Sequence, residues 1–446
     1  MTTATREEAD LRRVSLVVAL GAIMTVIDST IVNVAVHVLG RDLGTSLDTI
    51  QWVLTGYLLA LSMTIPITGW AIGRFGGRAV WLTALSLFIV GSVLCGAAWS
   101  AGSLIVFRVV QGVGGGLLMP AAQTILAQAA GPRRMARAMA VVSIPGMLAP
   151  MLGPVLGGLL LDHLSWRWMF LINVPVCAAA LIMAVRLLPV TKPETKENAG
   201  LDVLGLMLLS PGLAILIWGL SGGGTAGKAL GLLLLAAFVG HALRRRERAL
   251  VDLRLFKGRA YATAIGVIFC YSIAMFGALL LIPLYAQQVR GGGVLEAGLL
   301  VAPVGAGAIL TMTQAGRISA RFGTRGPGIT GILLVAGGLL AYTRMGAGTA
   351  WLVPLGAAFV MGLGHGLVTP LVMAGAYRDL ARDAIPGASV AATILVRLGS
   401  ALGAGVFAVV LQVLGRREDP ATAFAHSFWW ALGIVALSLL PALRMP

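Results

Sequence analysis

The chain has 446 residues, 58% of them hydrophobic and only 11% charged. A soluble globular chain carries about 25% charged residues, so too few polar groups remain here to coat a water-soluble core, and that class is excluded. The formal charge of +16, from 33 Lys and Arg against 17 Asp and Glu, sits in short segments between apolar runs; it therefore reports membrane topology rather than nucleic-acid binding.

The apolar runs predict an all-α integral membrane protein, since backbone groups in lipid must be satisfied within the segment itself. Fourteen spans are expected, each near the ~20 residues needed to cross a bilayer. The first six are 15–38, 49–71, 79–98, 103–128, 138–160 and 167–189. Two follow at 202–220 and 228–243, and six more at 261–286, 295–315, 326–344, 350–374, 387–413 and 424–443. A tail at 1–14 precedes them, and a basic loop at 244–260 separates the eighth span from the ninth. With the N-terminus in the cytoplasm, 24 of the 33 Lys and Arg fall in cytoplasmic segments. That asymmetry puts both termini on the cytoplasmic side. The first run holds Asp28 and Asn33 and is expected to be a retained span, not a signal peptide.

An internal repeat organises the chain. Gly69, Arg74, Phe75, Gly76 and Arg78 follow the second span, and Gly316, Arg317-to-Ala320, Arg321, Phe322, Gly323 and Arg325 follow the tenth. Gly, Arg, Phe, Gly and Arg recur 247 residues apart. The expectation is two six-helix domains, 15–190 and 261–443, around a central cavity, with the pair at 202–243 inserted between them.

Asp28 is the acidic residue that lies well inside a span. A carboxylate at that depth costs a few kcal/mol, and intramembrane ionisable groups mark ion or substrate pathways. Low dielectric disfavours its charged form, which suits a group that takes and releases a proton. Arg108 in span 4 lies at a comparable depth and is its expected partner. Substrate entry that breaks the pair would couple proton to substrate; a permanent ion pair that only fixes packing is the alternative. Polar and aromatic candidates for a substrate cavity are Gln51, Tyr57, Gln111, Tyr271, Tyr285, Gln287, Gln314, His365 and Arg397. Each competes with a purely interhelical hydrogen-bonding role. The run Gly112-Val113-Gly114-Gly115-Gly116 lies in an apolar helix with no preceding strand, so it is not a nucleotide loop. With no phosphate-binding loop of the Walker type, an ion gradient is the expected energy source and no cofactor is expected. No metal-ligand spacing occurs among Cys95, Cys177, Cys270 and the five histidines.

The motifs, taken in order, resemble the major facilitator superfamily in its fourteen-span drug:proton antiporter branch. The carriers of the resemblance are Asp28 to Ala35, Gln51 to Tyr57, Gly69 to Arg78, Arg108 to Gly112, Pro150 with Gly153 to Gly158, and Trp166 to Pro175. The resemblance implies a proton-coupled antiporter that exports drugs or other small amphiphilic compounds across the cytoplasmic membrane. It implies a conformational loop at Gly69, Arg74, Gly76 and Arg78, and a hinge in span 5 at Pro150, Gly153, Pro154, Gly157 and Gly158. Gly73 and Ala320 stand where the loop motif usually carries Asp, and Ala149 where the span 5 motif usually has Gly. The usual Asp latch between halves is thereby put in doubt. One Asp against two Arg at membrane depth leans away from dications, toward neutral, zwitterionic or anionic compounds. The expected partners are a small-molecule substrate, protons and the bilayer, with no nucleic acid, and the expected state is a monomer. A dedicated exporter of one antibiotic or metabolite is the close alternative. An importer and a non-transporting receptor or scaffold are further ones. The Gly-, Ala-, Leu- and Arg-rich composition suggests a bacterial source.

Overall fold

A computed structural model describes residues 3–189, 200–220, 224–245 and 249–445. Arg246 and Arg248 of the basic loop, with 190–199, lie outside the described residues, as do the side chains of Asn33, Ala149, Pro150 and Pro154. All regular structure among the described residues is helical. In chain order the helices are α1 Thr3–Ile31, α2 Val36–Asp42, α3 Leu47–Thr64, α4 Ile67–Phe75, α5 Gly77–Gly96 and α6 Ala101–His163. Next come α7 Trp168–Leu171, α8 Asn173–Leu187, α9 Val203–Leu220, α10 Gly224–Arg245, α11 Arg259–Gln288 and α12 Val294–Met312. The last five are α13 Ala315–Phe322, α14 Arg325–Tyr342, α15 Leu352–Tyr377, α16 Ile385–Leu414 and α17 Pro420–Leu443.

Eleven helices are long and apolar enough to cross a membrane, and two bent pairs, α3 with α4 and α12 with α13, bring the number to 13. The remaining expected span, 138–160, is the second arm of α6. That helix turns at Gly131, where φ is 63° and ψ 176°. The protein is therefore a multi-pass membrane protein whose fourteen expected spans are all helical.

Three spans are less straight than the apolar runs suggested. A 3₁₀ turn at Val32–Ala35 separates α1 from α2 just after Asp28. Upstream of it the hydroxyls of Thr25, Ser29 and Thr30 donate to carbonyls three or four residues back, which bends helices. The second span breaks by 53° between α3 and α4, at Ile65 and Pro66, because Pro has no N–H to continue the ladder. The tenth breaks by 52° without a proline. There Thr313 Oγ1 and Gln314 Nε2 both donate to the Leu310 carbonyl, at 3.0 and 3.2 Å.

The two breaks sit at equivalent places in the repeat. Each is followed by a short helix ending in a glycine of positive φ, 83° at Gly76 and 71° at Gly323. The equivalence extends to packing. A Cβ at Gly112 would lie 2.6 Å from the Tyr57 carbonyl, and one at Gly362 would strike Val304. Gly116 abuts Leu61 and Gly366 abuts Ala308; Gly114 faces Ala84 and Phe88, and Gly364 faces Gly331 and Val335. Every partner in the second set is displaced by 247 residues from the first, and every glycine by 250. The glycines of α6 and α15 thus let neighbouring backbones close in, a common device where helices pack in lipid.

The chain divides into two compact units. One comprises Met1–Gly131, Leu148–Arg254 and Ala381–Ile394; the other Pro132–Met147, Leu255–Leu380 and Leu395–Pro446. The inserted helices α9 and α10 belong to the first unit, where Ser210 Oγ on α9 donates to the Met63 carbonyl on α3.

Candidate functional site

The first unit holds a polar cluster built from four helices and braced by a fifth. Asp28 comes from α1, Ser92 and Cys95 from α5, Arg108 and Gln111 from α6, and Asn173 from the first position of α8. Asp28, Ser92, Arg108, Gln111 and Asn173 are all 0% exposed. Around them packs an apolar shell that includes Ile27, Ile31, Val53, Leu104, Trp166, Met169 and Phe170. Spacing on α6 puts Arg108 and Gln111 on one face, three residues apart. Gly91 brings α5 against that face: a Cβ there would lie 2.6 Å from Gln111 Cα.

The expected pair is present. Arg108 Nη1 donates to Asp28 Oδ2 at 2.6 Å. The same nitrogen lies 2.7 Å from Gln111 Oε1, and Arg108 Nε donates to the Val53 carbonyl at 3.3 Å. The Arg108 guanidinium lies over the ring of Tyr57 on α3, with Cζ 3.9 Å from the centroid; Phe170 is at 5.5 Å. The Tyr57 hydroxyl donates to the Thr25 carbonyl of α1 at 3.4 Å. Asp28 Oδ1 accepts from Gln111 Nε2 at 2.9 Å and from Asn173 Nδ2 at 2.8 Å. Ser92 Oγ accepts from the same two amides, at 2.8 and 3.4 Å. Three donors from three residues therefore converge on one carboxylate. Taking two charges out of water costs several kcal/mol each; the converging donors and the aromatic face offset part of that cost. As arranged, the cluster holds a carboxylate and a guanidinium as a neutral, water-excluded unit.

Of the other expected cavity residues, Tyr57 and Gln111 belong to this cluster. Tyr271 on α11 and His365 on α15 meet in the second unit, with Tyr271 Oη 2.8 Å from His365 Nδ1. Thr369 Oγ1 lies 3.5 Å from His365 Nε2. The rest are not gathered with them. Tyr285 donates to the Gly346 carbonyl at 3.0 Å and packs edge-on against Tyr342 and Phe424. Gln51, Gln287 and Gln314 are exposed, and Gln287 and Gln314 bond carbonyls of their own helices. Arg397 is half-buried on α16, its carbonyl accepting from Ser400.

In the loop, Gly69 faces Pro386 and Val390 of α16, Gly76 takes the positive φ, Arg74 is exposed, and Arg78 donates to the Val185 carbonyl. In span 5, Gly153 sits against Thr30 and Gly157 against Ile31, while Gly158 faces open space. The 0% exposed Ser92 and Asn173 were not among the expected site residues. Asn173 was visible only as part of the Trp166-to-Pro175 motif. Among the repeat-equivalent positions, Arg108 becomes Ala358, Gln111 becomes Met361 and Ser92 becomes Leu339. The charged cluster thus belongs to the first copy, and the second places His365 where the first has Gly115.

Comparison with known proteins agrees with this architecture. The Major Facilitator Superfamily profile matches residues 18–404. A Mycobacterium tuberculosis protein named multidrug resistance protein B homolog is 39% identical over 419 residues, covering 91% of this chain and 77% of that one. The putative multidrug resistance protein MdtD of Serratia proteamaculans is 30% identical, covering 96% and 92%. Among solved structures, the human organic anion transporter MFSD10 superposes with a TM-score of 0.69 at 17% identity, over 98% of this chain and 99% of that one. The match across almost the whole chain, with a twofold-repeated set of spans, makes this protein a member of the Major Facilitator Superfamily.

Proposed function

We propose that the protein is a proton-coupled antiporter that exports drugs or related small amphiphilic compounds across a bacterial cytoplasmic membrane, with both termini in the cytoplasm. The observation that carries this reading is the fully buried Asp28 held by Arg108, Gln111 and Asn173. Multidrug resistance names among relatives 30–39% identical support the substrate class. Asp28 takes a proton when the pair with Arg108 separates, and returns it when the pair re-forms. One proton moving down about 100 mV supplies roughly 2.3 kcal/mol, and each pH unit adds about 1.4 kcal/mol. That is enough to hold a substrate gradient of tenfold or more.

The substrate class follows from charge. Arg108 neutralises Asp28, so the cluster offers no spare anion to a dication. Tyr271 and His365 supply a neutral hydrogen-bonding pair in the second unit. We infer neutral, zwitterionic or anionic amphiphiles as the preferred cargo. The test is uptake into everted vesicles or proteoliposomes of a compound panel under an imposed pH gradient. Accumulation abolished by a protonophore supports the reading. Accumulation indifferent to the gradient refutes proton coupling.

A further inference from the structure

Resting on the reading of Asp28 as proton carrier, we infer that Asn173 is a positioning residue that serves both protonation states of Asp28 by turning its side-chain amide over. The argument begins with acceptors. A carboxylate needs donors, and Asp28 has three: Arg108 Nη1, Gln111 Nε2 and Asn173 Nδ2. Once protonated, the same group carries an O–H that must donate, because a buried donor left unmatched is destabilising.

Most acceptors nearby are committed. Gln111 Oε1 takes Arg108 Nη1 and the Cys95 thiol, at 2.7 and 3.7 Å. Ser92 Oγ takes both amides. The Val53 carbonyl takes Arg108 Nε, and the Thr25 carbonyl takes Tyr57. Asn173 Oδ1 is different: it is buried and has no hydrogen-bond partner among the described residues. Its amide nitrogen is already 2.8 Å from Asp28 Oδ1. A half-turn about Cβ–Cγ therefore exchanges Nδ2 for Oδ1 at hydrogen-bonding distance from the carboxyl. The turn gives up the Nδ2 bonds to Asp28 Oδ1 and, at 3.4 Å, to Ser92, and moves Nδ2 to the place where Oδ1 had no partner.

The step balances simply. A hydronium proton bonds to an Asp28 oxygen and leaves water behind, the ion pair with Arg108 is lost, and the new O–H donates to Asn173 Oδ1. Release reverses each change. Asn173 is suited to this by chemistry, since an amide presents donor and acceptor on one flat group. It is the first residue of α8, and its Nδ2 reaches both Asp28 Oδ1 and Ser92 Oγ.

The test is pH-difference infrared spectroscopy on the full-length protein in liposomes, with asparagine labelled at the side-chain carbonyl. In the wild type only Asn33, Asn173 and Asn198 take the label, and Asp28→Asn adds a fourth. The expected result is a carboxylic-acid band on acidification, lost in Asp28→Asn, accompanied by a labelled-amide shift that is lost in Asn173→Ser. A carboxylic-acid band with no amide shift, or one unchanged in frequency in Asn173→Ser, overturns the role of Asn173 and leaves the proton reading standing. Absence of any Asp28-dependent carboxylic-acid band overturns the proton reading and this inference together. The labelled wild type carries the decisive arm, so a variant that fails to fold does not blunt the test.

Discussion

Replacing Asp28 by Asn tests how the buried cluster is held together. The substitution is nearly isosteric, but an amide has one acceptor oxygen where the carboxylate has two. Three donors converge on that position, from Arg108, Gln111 and Asn173, at 2.6, 2.9 and 2.8 Å. Whichever way the new amide turns, at least one donor meets a donor and the guanidinium loses its counter-charge. Breaking a buried pair from one side costs about 3–5 kcal/mol. Arg108→Gln alone should cost a similar amount, since it strands the carboxylate. Together the two substitutions leave a neutral cluster, and the double variant should fall short of the summed single losses by about 2 kcal/mol or more. The assay is a double-mutant cycle by unfolding in mixed micelles, read by tryptophan fluorescence. Additive losses would refute the argument, because they would mean the two side chains do not depend on each other.

Other outcomes follow from single contacts. Gly91→Val should separate α5 from α6, because its Cβ would lie 2.6 Å from Gln111 Cα and 2.7 Å from Gln111 N, both backbone. Loss of coupled export and a thermal destabilisation of about 1–3 kcal/mol, the cost of overpacking, are expected; an unchanged melting profile would contradict the packing. Gly76→Ala and Gly323→Ala should each cost about 1–2 kcal/mol, the price of a side chain at positive φ, measured by the same unfolding assay. Tyr271→Phe removes the 2.8 Å partner of His365 and should alter apparent affinity across the compound panel while leaving Asp28-dependent proton release in place. At the start of α9, burial pushes the Asp202 carboxyl up, but hydrogen bonds from His241, Gly205 N–H and Leu250 N–H outweigh it and hold the group below its usual value. Because the folded value is depressed, the stabilisation is present above the ordinary carboxylate range and is lost as pH falls through the folded value. Hydrogen exchange at the Leu250 amide should therefore lose its protection in acid, and Asp202→Asn should make that protection independent of pH.

Much of the architecture was legible in the sequence because lipid leaves a chain few options. Long apolar runs can only be helices, so fourteen of them fix the class before any packing is known. The loop repeat carried further than its five matched residues suggested. Gly76 and Gly323 share a positive φ, and the bends before them match at 53° and 52°. A second repeat, Gly112, Gly114, Gly116, Leu117 and Pro120 against Gly362, Gly364, Gly366, Leu367 and Pro370, was equally available and marks the close helix contacts.

Asp28 and Arg108 could be paired because charges at membrane depth are few and need partners. Ser92 and Asn173 could not be found that way. A neutral polar residue in an apolar run carries no demand for one partner, and its face is set only when helices pack. The same limit explains Gln287 and Gln314, which resemble cavity residues in the sequence but bond carbonyls of their own helices. The break at Thr313 and Gln314 was hidden for a related reason: side chains, not proline, compete for the backbone there.

Proton release from energised everted vesicles, on adding antibiotics, dyes and biocides, tests the central claim most directly. Wild type and Asp28→Asn are compared at equal amounts of folded protein in the membrane. Compound-triggered proton efflux in wild type and none in the variant is the predicted result. Equal efflux from both would contradict the account, and would leave Asp28 and its partners as a structural brace.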